Sequence, residues 1–153
     1  MPLAEAGFCL PGIPEDKRPD FLVTLGPTVT VTVGHLDSKT ANPELAKDQA
    51  SESVAALVDT GALESCIDDA LAKKLGLPVI DRQKCAGVSG ESIHDVYLAL
   101  IDIPTLQYAQ YGRFMGVHLA VGGQLHQVLL GRTLLRTMML VYDGVHGTVT
   151  IAR

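Results

Sequence analysis

Val54-Ala55-Ala56-Leu57-Val58-Asp59-Thr60-Gly61-Ala62 joins five apolar residues to an acid, a hydroxyl and a glycine. The apolar run predicts a short buried strand, and the Asp-Thr-Gly that follows predicts a tight turn holding a carboxylate at the strand's end. An Asx-type turn would need the same residues for purely local reasons. The triplet therefore takes its meaning from the segments around it.

Upstream, Thr28 to Val33 alternates strictly between Thr and Val, so one face of a strand is apolar and the other carries hydroxyls. His35 to Ser53 is polar, contains Pro43 and reads as a surface loop inserted between strands. Downstream, Ser65 is expected to cap a helix, with Asp68 completing a capping box and Ile67, Ala70, Leu71 and Leu75 on one apolar face. Gly76 and Pro78 end that helix. Val79-Ile80 enters a strand, Ala86 to Gly90 makes a hairpin tip, and Ile93 to Ile103 forms a long strand stopped by Pro104. Further strands are expected at Phe114 to Val121, Gln127 to Leu130, Met139 to Tyr142 and Thr148 to Ile151, with a short helix at Thr133 to Met138. Many strands and two short helices predict a mainly β, barrel-like domain.

Composition bounds the function. A chain of 153 residues with 47% hydrophobic content can bury one core but not two ordinary ones. We expect a flexible tail over residues 1–20 and one domain over 21–153. A formal charge of −5 without any Lys/Arg-rich run gives no footprint for nucleic acid. No apolar stretch has the roughly 18 to 20 residues that cross a bilayer, the richest being interrupted by Arg132 and Arg136. No membrane partner is expected. The first twenty residues contain four prolines and no secretory pattern, and Cys9, Cys66 and Cys85 are too few and too scattered for a disulfide framework. Free thiols and a cytoplasmic location are the expectation. The five histidines, His35, His94, His118, His126 and His146, lack metal-ligand spacing.

The segment Ala56 to Ala62 resembles the active-site loop of retropepsin-like aspartic peptidases, in which an apolar strand presents Asp-Thr/Ser-Gly. About seventy residues later, Val128-Leu129-Leu130-Gly131-Arg132 is similar to the segment that crosses the catalytic loop in that family, and Ala86 to Gly90 sits where its flap belongs. The resemblance covers about residues 22 to 152. It implies a closed β-barrel of the acid protease fold, forming one half of a symmetric homodimer. Asp59 is then the catalytic carboxyl group, supported by Thr60, Gly61 and Ala62. Gly87, Val88, Ser89 and Gly90 form the flap over an extended peptide substrate, and Leu129, Leu130, Gly131 and Arg132 form the crossing loop that supports the dimer. Val58, Ile80, Val88 and Leu129 would wall the groove. Neither cofactor nor metal is required.

The chain holds a single Asp-Thr-Gly and no Asp-Ser-Gly. Chemistry that uses two facing carboxyls sharing one proton therefore needs a second copy, so Asp59 should meet its own symmetry mate. In place of the acid that the family carries two residues after the glycine stands Leu63, leaving Glu64 as the nearest carboxylate for Arg132. Two alternatives compete with an aspartic endopeptidase. One is a non-catalytic dimeric peptide-binding or assembly module with the same fold. The other is a thiol hydrolase using Cys66 at a helix N-terminus with a base such as His94. Phe8, Leu10, Phe21 and Leu22 offer apolar positions for self-processing of the tail.

Overall fold

The computed structural model describes residues 1–5, 12–35 and 50–153. Most of the expected 35–53 loop, together with Phe8, Cys9 and Leu10, lies outside the described residues. In chain order the elements are β1 (Leu3–Glu5), α1 (Arg18–Leu25), β2 (Thr28–Gly34), β3 (Ser51–Val58), β4 (Ser65–Asp68), α2 (Asp69–Lys74), β5 (Val79–Gly87), β6 (Gly90–Ile103), β7 (Tyr108–Val117), β8 (Val128–Leu130), α3 (Arg132–Leu135), β9 (Met139–Asp143) and β10 (Thr148–Ala152).

The Thr/Val alternation of β2 works as expected. Val29, Val31 and Val33 are buried while Thr30 faces out, and the strand pairs antiparallel with β3 from Thr28↔Leu57 to Gly34↔Ser51. β3 runs parallel to β8, β8 lies antiparallel to β4, β4 runs parallel to β7, and β7 lies antiparallel to β6. β6 returns to β2 through Thr32↔Asp102, Val33↔Ile101 and Gly34↔Leu100. Six strands thus close a barrel, which removes the open edges of a flat sheet. Val31, Ala56, Ile67, Ile101, Phe114, Val128 and Leu130 are among the side chains that fill it. Each fully buried Val, Leu, Ile or Phe contributes about 1.5–3 kcal/mol, so this interior holds β3 in place. β5 continues outward from β6 as a hairpin arm. A second sheet, ordered β1-β10-β9, packs Val149 and Ile151 onto the same core.

Four local expectations change. Ser65 does not cap a helix. Ser65–Asp68 is a strand, because Ile67 is needed in the core and pairs beside Gly116 of β7. The helix cap is Asp68, whose carboxylate accepts the Leu71 N–H at 3.3 Å. The strand expected over Phe114 to Val121 runs from Tyr108 to Val117, since Tyr108 is buried but Ala109, Gln110 and Tyr111 are all exposed and leave no alternation in the sequence. The helix expected from Thr133 begins at Arg132 and ends at Leu135. Within residues 1–20, read as a tail, Leu3–Glu5 pairs with β10 and Ala4 is buried, and α1 begins at Arg18. Of the self-processing positions that are described, Phe21 and Leu22 lie inside α1, and Leu22 is buried.

Candidate active site

β3 delivers Asp59 to the barrel's end, where β8 runs alongside it. The Asp59 N–H donates to the Leu130 carbonyl at 3.0 Å, and the Val58 N–H donates to the Pro27 carbonyl at 2.8 Å. The chain then turns sharply. Asp59 Oδ1 accepts the backbone N–H of Gly61 at 2.9 Å and that of Ala62 at 3.2 Å, so the turn holds its own carboxylate. Asp59 Oδ2 has no partner within the chain among the described residues, and neither has the Thr60 hydroxyl. Thr60 and Gly61 are exposed.

The crossing segment clamps this turn from the side. Gly131 donates its N–H to Ser65 Oγ at 3.0 Å, Arg132 its N–H to the Ala62 carbonyl at 2.9 Å, and Thr133 its N–H to the Leu63 carbonyl at 3.1 Å. Here glycine is demanded by space, because a Cβ on Gly131 would lie 2.5 Å from the Glu64 carbonyl oxygen and 2.9 Å from the Ser65 nitrogen. Arg132 Nη1 donates to the Thr60 carbonyl at 2.8 Å and the Gly61 carbonyl at 3.0 Å. Its partners are thus two main-chain oxygens of the Asp59 turn. Among the described residues Arg132 pairs with no carboxylate, Glu64 included. Leu63, 61% exposed, stands where an acid would have competed for it.

The expected hairpin tip is present. Gly87 pairs with Gly90 around a two-residue loop of Val88 and Ser89, all four exposed, and Gly90 takes φ +117°, where a side chain would be strained. The arm is fastened near its base by Arg82 to Asp95 at 3.0 Å and by Arg113 of β7 to Asp81 at 2.9 Å. Further out, Cys85 Sγ meets Met115 Sδ at 3.2 Å. Of the groove walls expected, Ile80 and Val88 are exposed and Leu129 is half-buried, but Val58 faces the barrel core and belongs to its packing.

The thiol reading does not survive the geometry. Cys66 lies in a strand, buried beside Met115 of β7. Burial first, then the nearby Asp59 carboxylate, Cys85 and Glu64, pushes its thiol up to about 11, so it stays protonated near neutral pH and is a poor nucleophile. His94 is bonded elsewhere, to Ser92 Oγ at 2.7 Å and the Gly116 carbonyl at 2.9 Å. Among the described residues, no group of three or more His, Cys, Asp or Glu side chains is placed to hold a metal, and no helix is long and apolar enough to cross a membrane.

Three supporting residues escaped the sequence reading. Ser65 holds the crossing segment, as described. Asp68, 2% exposed, accepts the N–H groups of Leu119 and Ala120 at 3.0 and 3.1 Å besides capping α2. His126, 3% exposed, lies 2.6 Å from the Thr28 hydroxyl, which itself donates to the Gly26 carbonyl. The Asp68-Asp69 pair before an apolar run was the available signal for the cap; nothing local marks the other two.

No curated protein matches the chain significantly. A family model described as gag-polyprotein putative aspartyl protease matches residues 49–137, which include the Asp59 turn, the hairpin tip and the Gly131-Arg132 segment. The match spans more than half of the chain, and together with the closed barrel it shows that the chain belongs to this family of retropepsin-like aspartyl proteases.

Proposed function

We propose that the protein is an aspartic endopeptidase that acts as a homodimer, with Asp59 of each copy forming the catalytic pair. The observation that carries this reading is the Asp59 turn itself. One carboxylate oxygen is fixed by two backbone donors, the other is uncommitted, and the adjoining Thr60 hydroxyl has no partner among the described residues of its own chain. A carboxyl fixed through one oxygen and open at the other suits one half of a two-carboxyl site, since catalytic groups need to be held in place.

In the dimer the two carboxyls share one proton, because two like charges at close range resist ionising together and titrate in coupled steps. The ionised member takes a proton from a bound water as that water attacks the scissile carbonyl, and the protonated member donates to the carbonyl oxygen. Thr60 hydrogen-bonds across the axis to keep the carboxyls coplanar. Leu129, Leu130, Gly131 and Arg132 support the turn from behind. The tip Gly87, Val88, Ser89 and Gly90 closes over a peptide bound in extended form and excludes water. The surface offered to the second copy includes β9, whose edge away from β10 is unpaired among the described residues. Its Met139 and Val141 share the sheet's outer, exposed face with Leu3.

The test is digestion of a peptide library by wild type and Asp59→Asn, read by mass spectrometry between about pH 4 and 7.5, a span that covers carboxyl and imidazole titration. Cleavage by wild type alone is expected. Equal cleavage by both would remove Asp59 from the mechanism. Absence of cleavage by two folded dimers would turn the reading toward a peptide-binding module.

A further inference from the structure

Beside the crossing segment lies a cleft of about 480 Å³ whose lining includes Glu64, Tyr108, Arg113, Thr133, Arg136 and Thr137. It adjoins the catalytic turn. Glu64 follows that turn by two residues, and Thr133 donates its backbone N–H to Leu63. Arg136 lies four residues beyond Arg132, one helical turn from the side chain that grips Thr60 and Gly61.

The lining is rich in donors. Arg113 and Arg136 bring N–H groups that cannot be deprotonated near neutral pH, and Thr133, Thr137 and Tyr108 bring hydroxyls. Burial raises the Tyr108 phenol above its ordinary value, so it remains a donor. Against these stands a single acid among the described lining residues, Glu64. Arg113 is shared with Asp81 in an exposed pair, and Arg136 has no carboxylate partner among the described residues. An uncommitted guanidinium in a polar cleft with surplus donors is matched by a carboxylate.

Resting on the protease reading above, we infer that this cleft is a substrate subsite that takes an acidic side chain, Asp or Glu, lying outside the two residues that flank the cut. Glu64, which follows the Asp59 turn by two residues, ties the cleft's lining to that turn, while Arg136 lies one helical turn beyond the Arg132 that grips it. The acid preference falls away from the scissile bond.

The experiment uses matched decapeptides that differ only in Glu or Gln at one position, scanned along the chain. At one remote position the wild-type ratio of kcat/KM for Glu over Gln is expected to be about tenfold or more, the scale of one charge-assisted hydrogen bond. That ratio should fall toward one in Arg136→Gln and stay high in Arg18→Gln, which removes the same charge from a residue outside the cleft's lining. A flat scan for wild type, or an unchanged ratio in Arg136→Gln, would overturn the inference. Binding of the same fluorescent peptides to Asp59→Asn, alone and combined with Arg136→Gln, separates the two readings. Without any cleavage the protease reading fails, while a Glu-over-Gln binding preference that depends on Arg136 still supports the subsite, and its absence rejects it.

Discussion

Gly131→Ala tests how closely the crossing segment clamps the Asp59 turn. The new methyl would sit 2.5 Å from the Glu64 carbonyl oxygen, about 0.9 Å inside the 3.4 Å at which ordinary contact begins, and 2.6 and 2.9 Å from two further main-chain atoms. None of the three belongs to a flexible side chain. β4 cannot slide away freely, because it pairs with β7 on one side and β8 on the other. Overpacking of this kind costs about 1–3 kcal/mol, and parting Gly131 from Ser65 Oγ removes a buried hydrogen bond worth about 1 kcal/mol. The sum, about 2–4 kcal/mol, lowers the melting temperature by about 5–15 °C in a domain of this size. Calorimetry at matched protein concentration is the assay, since association makes melting concentration-dependent. Gly87→Ala is the control, because its new Cβ meets nothing closer than 3.8 Å. A Gly131→Ala melting point within about 1 °C of wild type would refute the reasoning, for the two segments would then part at no cost.

Asp68→Ala should be more damaging than its place outside the motif suggests. Three backbone donors, those of Leu71, Leu119 and Ala120, lose their acceptor, a loss of about 3–5 kcal/mol to be read from the urea midpoint together with faster amide exchange at Leu119 and Ala120. His126 gives a pH signature. Burial lowers its pKa below 6.5, so its contribution is whole above the unfolded value and declines as pH falls through 6.5 toward the depressed folded value, because the unfolded chain then binds a proton that the fold refuses. In His126→Gln the decline of stability over that window should flatten, and an identical slope would count against the assignment. Arg132→Met removes both bonds to the Thr60 and Gly61 carbonyls. We expect a cost of about 1–2 kcal/mol in stability and a larger proportional fall in kcat, measurable by parallel melting and peptide-cleavage assays.

The Asp59 region was legible because its parts obey local rules. An apolar strand before Asp59, valines alternating with threonines in β2 and a Gly-rich tip at Gly87 to Gly90 each declare themselves within a few residues. What stayed hidden depends on neighbours distant in sequence. Ser65 looks like a cap until β7 and β8 arrive on either side of it and make its segment a strand. Arg132 was matched to a missing acid because charge invites charge, whereas the nearby turn offers two carbonyl oxygens in better positions. Asp68 and His126 act through Leu119, Ala120 and Thr28, contacts that only the closed barrel creates. The first half of β7 carries no alternation, because after the buried Tyr108 the run Ala109 to Tyr111 is exposed on successive residues.

The 70 residues that lie between Asp59 and Leu130, whose backbone groups bond directly, bear on the order in which this chain can fold. The β5–β6, β6–β7 and β9–β10 hairpins link near neighbours and close at small entropic cost, while the β3–β8 pairing must wait for a long loop to close. Until residues 128 to 133 have been synthesised and docked, Asp59 lacks the backbone clamp that fixes its turn. A nascent or truncated chain therefore carries the acid without its support, and the turn takes its final form late, when most of the barrel already exists.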